Sequence, residues 1–358
     1  MSYAEDPLPE PEIPEIRTPV QHCEVSAEEA GQRLDNYVQK RLGDLPRSRV
    51  YRVIRKGEVR VNGKRAGPET RLNASDKIRI PPVRLAAPGS AAKPARPSQE
   101  LLARIHEAIV YEDAKLLVLD KPAGIAVHGG SGVNFGVIEA LRALRPEESL
   151  ELVHRLDRDT SGCLLIARRS AALRSLHALL REEGFEKRYL ALLQGKWDLG
   201  QKRIDAPLRT DTRVGGERTV RVGAAGKASV STFRPVQFFG KTATLVEVTL
   251  ETGRTHQIRV HAQHAGHPVA GDEKYGAAAF NEAMRALGLR RMFLHASSVS
   301  FSWPQGGEFS VNTPLPPELG AVLDQLGAMK KPGAHRRARA AGSQHSAARR
   351  RARSGVAR

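Results

Sequence analysis

Aromatic residues make up only 5% of this 358-residue chain. That is too few for stacked rings to be its main means of holding single-stranded nucleic acid. Its two cysteines, Cys23 and Cys163, have no CxxC spacing, so neither a disulfide framework nor a zinc site is expected. No stretch approaches the roughly 18 consecutive apolar residues of a membrane-spanning helix. Met1 to Pro19 is acidic and proline-rich, the reverse of a secretory signal's basic start and apolar centre. A cytoplasmic protein with no membrane partner is the expectation. Acidic residues are also in deficit, with 39 Asp and Glu against 57 Lys and Arg, a net charge of +18. An excess of that size points to a polyanionic partner, and nucleic acid is the leading class.

The charge and the periodicities divide the chain. Residues 1–24 contain the run Pro9-Glu10-Pro11-Glu12-Ile13-Pro14-Glu15, have little to bury and are expected to be unstructured. Residues 25–83 read as a small unit of two helices and a hairpin. Leu34, Tyr37, Val38 and Leu42 form one helical face. Ser48 is the expected N-cap of a second helix and Gly57 its stop. Asn62-Gly63 signals a type I′ turn. Arg41, Arg47, Arg49, Arg52, Arg55 and Lys56 crowd the two helices, with Lys64 and Arg65 beside the hairpin. A solvated helix face is the plain reading of such a run. Charges of one sign repel unless a phosphate backbone neutralises them, which favours RNA binding here.

Residues 84–100, rich in Pro and Ala, read as a linker. Residues 101–329 then alternate helix and strand signals without a regular βαβ repeat. Leu116–Leu119, Tyr189–Leu193 and Leu245–Leu250 read as strands, and Val137–Leu144 and Ala171–Leu180 as helices. An α+β domain with a mixed, mainly antiparallel sheet flanked by helices fits this mixture. From Lys330 to Arg358 there are ten Lys and Arg and no acid, which reads as a disordered tail adding sequence-independent affinity.

The densest chemical signal is His154-Arg155-Leu156-Asp157-Arg158-Asp159-Thr160-Ser161-Gly162, followed at once by the apolar run Cys163–Ala167. A polar turn feeding a core strand is the plain alternative. Three other features point elsewhere less well. His261, His264 and His267 could suggest a metal, but Gly266 and Pro268 break the helix that such a site would use. Gly240-Lys241-Thr242 ends like a phosphate loop, yet Pro235 stands where that motif needs glycine, so no nucleotide cofactor is supported. Gly129-Gly130-Ser131-Gly132 is a turn or a close backbone approach.

The string HRLDRDTSG resembles the active-site motif of the RluA-type pseudouridine synthase family. So do Lys121–Gly132, Lys187-Arg188-Tyr189, Glu251–His261 and Arg291–Ala296, in the family's order. The front unit, through RLDNYVQKRL and SRVYRVIRKGEVRVNGK, resembles the small RNA-binding domain named after ribosomal protein S-four. The resemblance implies a pseudouridine synthase fold preceded by that domain, acting on large-subunit ribosomal RNA as a monomer. It makes Asp157 the catalytic residue, Arg259 its partner, Tyr189 the ring that stacks on the base and Leu294 a pocket wall. Arg155 becomes the residue that fills the space left by a flipped uridine. No cofactor or metal is implied. A binding-only RNA factor is the competing class, but such a protein has no use for a carboxylate turned towards a polyanion.

Overall fold

The computed structural model describes residues 15–43, 45, 47–86, 96–129, 135–182, 184–212 and 218–329. The basic tail and much of the Pro/Ala segment lie outside them. The chain divides into two compact units between Pro97 and Ser98.

The first unit places helices α1 (Leu34–Leu42) and α2 (Arg47–Arg55) beside a four-stranded sheet. Its strands are β2 (Gln21–Glu24), β3 (Arg60–Val61), β4 (Lys64–Arg65) and β5 (Lys77–Ile80), in the order β2-β5-β3-β4. A separate antiparallel pair joins β1 (Glu15–Arg17) to β6 (Arg84–Ala86). Leu34, Tyr37, Val38, Val50, Ile54 and Ile78 make its core. The Asn62 and Gly63 φ angles of 50° and 77° are those of the type I′ turn between β3 and β4. Gly57, at φ 73°, stops α2 as a Schellman cap: its N–H donates to Ile54 and that of Glu58 donates to Val53.

Three expectations need correction here. Helix α2 begins at Arg47, so Ser48 is inside it and not its N-cap. Residues 15–17 and 21–24 are strands within the stretch expected to be unstructured, because each finds an antiparallel partner distant in sequence. Residues 84–86 are also strand and 99–107 helix, which shortens the expected linker at both ends.

The second unit is built on one ten-stranded sheet. After α3 (Gln99–Glu107) come β7 (Ile109–Glu112), β8 (Leu116–Lys121), α4 (Val137–Leu144), β9 (Glu151–Leu152), β10 (Ser161–Ala167) and α5 (Ser170–Arg181). The long strand β11 (Phe185–Gln194) precedes β12 (Lys202–Asp205) and the outlying hairpin β13 (Leu208–Thr212) and β14 (Arg218–Val222). Strands β15 (Val230–Phe239) and β16 (Ala243–Leu250) lead into α6 (Gln257–His264) and α7 (Ala278–Ala286). The unit ends with β17 (Leu294–Ser302), β18 (Glu308–Asn312) and α8 (Pro317–Met329). The main path runs β12-β15-β16-β11-β17-β10-β8-β7, with β9 on β10 and β18 on β17. Among the described residues only β10 and β17 pair in parallel, so the α+β, mainly antiparallel architecture is what the chain adopts.

Every residue of β10 is buried, as its unbroken apolar run requires of a strand covered on both faces. Each of its large side chains, Leu164, Leu165 and Ile166, contributes about 1.5–3 kcal/mol by leaving water. This central strand is therefore a rigid base for the loop that precedes it. The Gly240-Lys241-Thr242 triplet is the turn between β15 and β16, with Gly240 at φ 65°.

Candidate active site

The segment from His154 to Thr160 links β9 to β10 and enters the sheet at its centre. Because β10 and β17 run in parallel, with Ser161 opposite His295, the loop carrying Asp157 and the start of β17 at Leu294 lie at the same sheet end. Tyr189 of β11 pairs with Ala296 just beyond a register irregularity after Arg188. Irregularities of this kind re-aim a side chain. The outcome is a small pocket of about 70 Å³ lined by Arg155, Asp157, Tyr189, Arg259 and Leu294 among others. Five residues expected from sequence to share a site do so, although Asp157 and Arg259 are 102 positions apart.

Arg259, on α6, donates from Nη1 to Asp157 Oδ2 at 3.1 Å. It does not serve Asp157 alone. Its Nε and Nη2 donate to the two oxygens of Asp272 at 2.7 and 2.9 Å, a paired geometry that fixes the guanidinium plane. Asp272 is buried, and the N–H groups of Lys274 and Tyr275 also donate to it. Burial is the largest single influence on its carboxyl and would raise it, but Arg259 and those N–H groups together hold it below the ordinary value. The Tyr275 ring lies under the guanidinium, 4.9 Å from centroid to Cζ. Asn281 closes the assembly by accepting from Gly271 N–H and donating to the Asp272 carbonyl.

Tyr189 and Leu294 are buried, while Arg155 is exposed. Burial, reinforced by the Asp157 charge, pushes the Tyr189 phenol above its ordinary value. The ring thus meets neutral pH as a protonated phenol, able to stack or donate. A role in taking up a proton would require it to pass on its own.

Asp157 also borders a wider cleft of about 710 Å³, whose basic walls include Arg155, Arg158, Arg285, Arg290 and Arg291. Asp157, Asp159, Asp272 and Glu273 also line it, against seven Lys and Arg, so positive charge is in excess and the cleft favours an anionic ligand. Beneath it, Lys121 is wholly buried and donates to the carbonyls of Pro122, Ile125 and Arg158 at 2.8, 2.8 and 3.0 Å. The Lys121–Gly132 segment is thereby tied to the Asp157 loop.

Sequence reasoning missed Asp272, His256, Tyr275 and the work of Lys121. Gly271-Asp272 carries a weak signal, since glycine beside a buried acid often marks a close backbone approach. The histidine triplet resolves into separate contacts. His261 engages Ser231 and the Ala206 carbonyl, His267 engages the Gln194 carbonyl, and His264 is exposed. Among the described residues no group of three metal-ligating side chains converges. Cys163 is core, its thiol near Thr313 and pushed up by burial.

In the first unit, Arg49, Arg52, Arg55, Lys56 and Lys64 are all exposed, while Val50 and Ile54 fill the opposite side of α2. The Arg47 side chain lies outside the described residues, as do Gly130-Ser131-Gly132. Among the described residues no helix is long and apolar enough to cross a membrane.

Residues 115–264 match the family model described as RNA pseudouridylate synthase, and residues 32–78 match the S4 domain. The chain is 51% identical over 313 residues to ribosomal large subunit pseudouridine synthase C of Pasteurella multocida (strain Pm70), covering 87% of this chain and 95% of that protein. It is 50% identical over 306 residues to the protein of the same name from Escherichia coli (strain K12), covering 84% and 95%. Among solved structures, human RNA pseudouridylate synthase domain containing 1 is 29% identical with a TM-score of 0.50. That match covers 62% of this chain and 93% of the human one. The human domain-containing 4 protein, 24% identical with a TM-score of 0.53 over 64% of this chain and 96% of its own, shows the shared fold. With an S4 domain ahead of its catalytic unit, the chain belongs to the RluA-type RNA pseudouridylate synthase family.

Proposed function

We propose that this enzyme isomerises specific uridines to pseudouridine in large-subunit ribosomal RNA, with Asp157 acting on a uridine flipped out of its stack. The observation that carries the reading is the ion pair of Asp157 and Arg259 at 3.1 Å, in a pocket walled by Tyr189 and Leu294 and opening beside a basic cleft. The names of its half-identical relatives support ribosomal RNA as the substrate.

In the reaction the N1–C1′ bond breaks, the uracil turns, and C5 joins C1′. C5 gives up its proton and N1 gains one. Nothing is oxidised or reduced and no phosphate bond is cut. One carboxylate acting as nucleophile or base therefore meets the demand, with neither nucleotide nor metal. The guanidinium of Arg259, fixed by Asp272, stands 3.1 Å from Asp157 as its counter-charge. Flipping the uridine costs a few kcal/mol. Arg155, exposed at the cleft beside Asp157, is suited to fill the vacated stack. Tyr189 offers the flat face for the base. The exposed basic face of α2, with Lys64 beside it, docks on structured RNA as the enzyme works in the cytoplasm as a monomer.

The test is a map of pseudouridines in large-subunit ribosomal RNA from cells with and without this protein. One or more positions should revert to uridine in its absence, and the wild-type gene should restore them. An unchanged map would overturn the reading, and losses confined to transfer RNA would replace its substrate.

A further inference from the structure

His256 precedes α6 with φ 55° and ψ 21°, in the left-handed region that a non-glycine residue enters at a cost of about 1–3 kcal/mol. That backbone carries its ring to the floor shared by the small pocket and the wide cleft. Nε2 stands 3.9 Å from Asp157 Oδ2, the same oxygen that Arg259 engages. On the far side, Nδ1 is 2.8 Å from the Tyr275 hydroxyl, and the Val220 N–H donates to that hydroxyl at 2.9 Å.

A phenol has one proton, and buried in this way it needs an acceptor. Among the described residues, Nδ1 is the one acceptor within hydrogen-bond distance of the Tyr275 hydroxyl. Nδ1 therefore accepts, and the neutral ring carries its proton on Nε2, facing Asp157. Burial, with the Arg259 and Lys274 charges, holds the imidazole below its ordinary value against the attraction of Asp157 and Asp272. The ring is consequently a neutral donor.

We propose that His256 is a positioning residue for Asp157: its Nε2–H, oriented by Tyr275, closes on Oδ2 as RNA binds and, with Arg259, leaves Oδ1 as the oxygen offered to the uridine. The proposal rests on the reading of Asp157 as the reacting group. A separation of 3.9 Å is longer than a hydrogen bond, and approaches of this kind commonly tighten only when substrate is in place. The histidine thus brings Oδ2 a second donor from outside the guanidinium, whose Nε and Nη2 are turned to Asp272.

The experiment uses the full chain and large-subunit ribosomal RNA transcribed in vitro with tritium at uridine C5, which leaves as water when pseudouridine forms. Single-turnover rates and RNA affinities are measured for wild type, His256→Ala, His256→Gln and Asp157→Asn. Glutamine keeps an N–H near the position of Nε2, and it bears the same backbone cost as alanine. His256→Ala should slow the single turnover by about 10- to 100-fold, the worth of one hydrogen bond to a charged group, with RNA affinity nearly unchanged. His256→Gln should recover most of that rate. Long-range ¹H–¹⁵N spectra of histidine-labelled protein should show the Nε2–H tautomer in wild type and no such preference in Tyr275→Phe. A normal rate for His256→Ala, equal defects in the two His256 variants, or an Nδ1–H tautomer would each overturn the proposal. Activity in Asp157→Asn would instead overturn the reading beneath it.

Discussion

Lys121 Nζ lies 3.0 Å from the main-chain oxygen of Arg158, the residue immediately after Asp157. The Gly124 N–H donates to the same oxygen at 2.9 Å. The loop is thus held from below by a lysine that reaches no solvent. Three carbonyls around Nζ match the three N–H bonds of an ammonium group, while burial lowers this lysine from 10.5 to about 7.

That conflict predicts a pH-dependent stability. Between about pH 7 and 10.5 the unfolded chain holds a proton that the folded chain releases, so raising the pH favours folding. Below about pH 7 both states are protonated and the cost of burying the charge is borne in full. Relative to Lys121→Met, wild type should gain at most about 1.4 kcal/mol per pH unit through this window. Denaturant unfolding of both proteins at about pH 6.5 and about pH 9, one on each side of the folded-state value, measures it. A difference that does not change with pH would place the lysine's titration outside the window.

Asp272→Asn keeps the shape of the side chain but removes the charge that fixes Arg259. It should cost about 1–3 kcal/mol of stability, as expected when a hydrogen bond to a charged group is removed, and lower turnover at saturating RNA. RNA affinity should change little. Steady-state kinetics with thermal unfolding checks both, and normal turnover would show that Arg259 orients itself without Asp272.

Gly162 has φ 109°, and a Cβ there would overlap the Ala296 carbonyl where β10 meets β17. Gly162→Ala should therefore cost roughly 3 kcal/mol or more, combining backbone strain with separation of the two strands. A melting temperature equal to wild type would contradict this.

Truncation after Met329 removes the ten positive charges of the tail, which lies outside the described residues. For every phosphate that the tail neutralises, the slope of log affinity against log salt should flatten by roughly 0.7–0.9 in the truncated protein. Binding to target and unrelated RNA should weaken alike, with turnover at saturating RNA unchanged. A weakening confined to the target RNA would mean that the tail reads something specific.

Residues whose role is local were legible in the sequence. Asn62-Gly63, the Gly57 stop and the apolar face of α1 are each written within one turn or helix. Asp157, Tyr189, Arg259 and Leu294 were legible as resemblance, since their neighbours in the chain carry recognisable wording. Asp272 and Tyr275 were not. They act through a guanidinium on α6 and an imidazole ahead of it, and no periodicity reports which buried acid meets which base. The strands β1 and β2 were missed for a related reason. Glu15–Arg17 pairs with residues some seventy positions later, a pairing that no local pattern contains.

The most direct measurement is the isomerisation of C5-tritiated ribosomal RNA by Asp157→Asn, with RNA binding measured in parallel. The substitution preserves volume and leaves Arg259 held by Asp272, so the fold and RNA affinity should persist. Tritium release should fall to background, because the amide can serve neither as nucleophile nor as base. Release at the wild-type rate by a correctly folded Asp157→Asn variant would contradict the assignment of Asp157 as the reacting group.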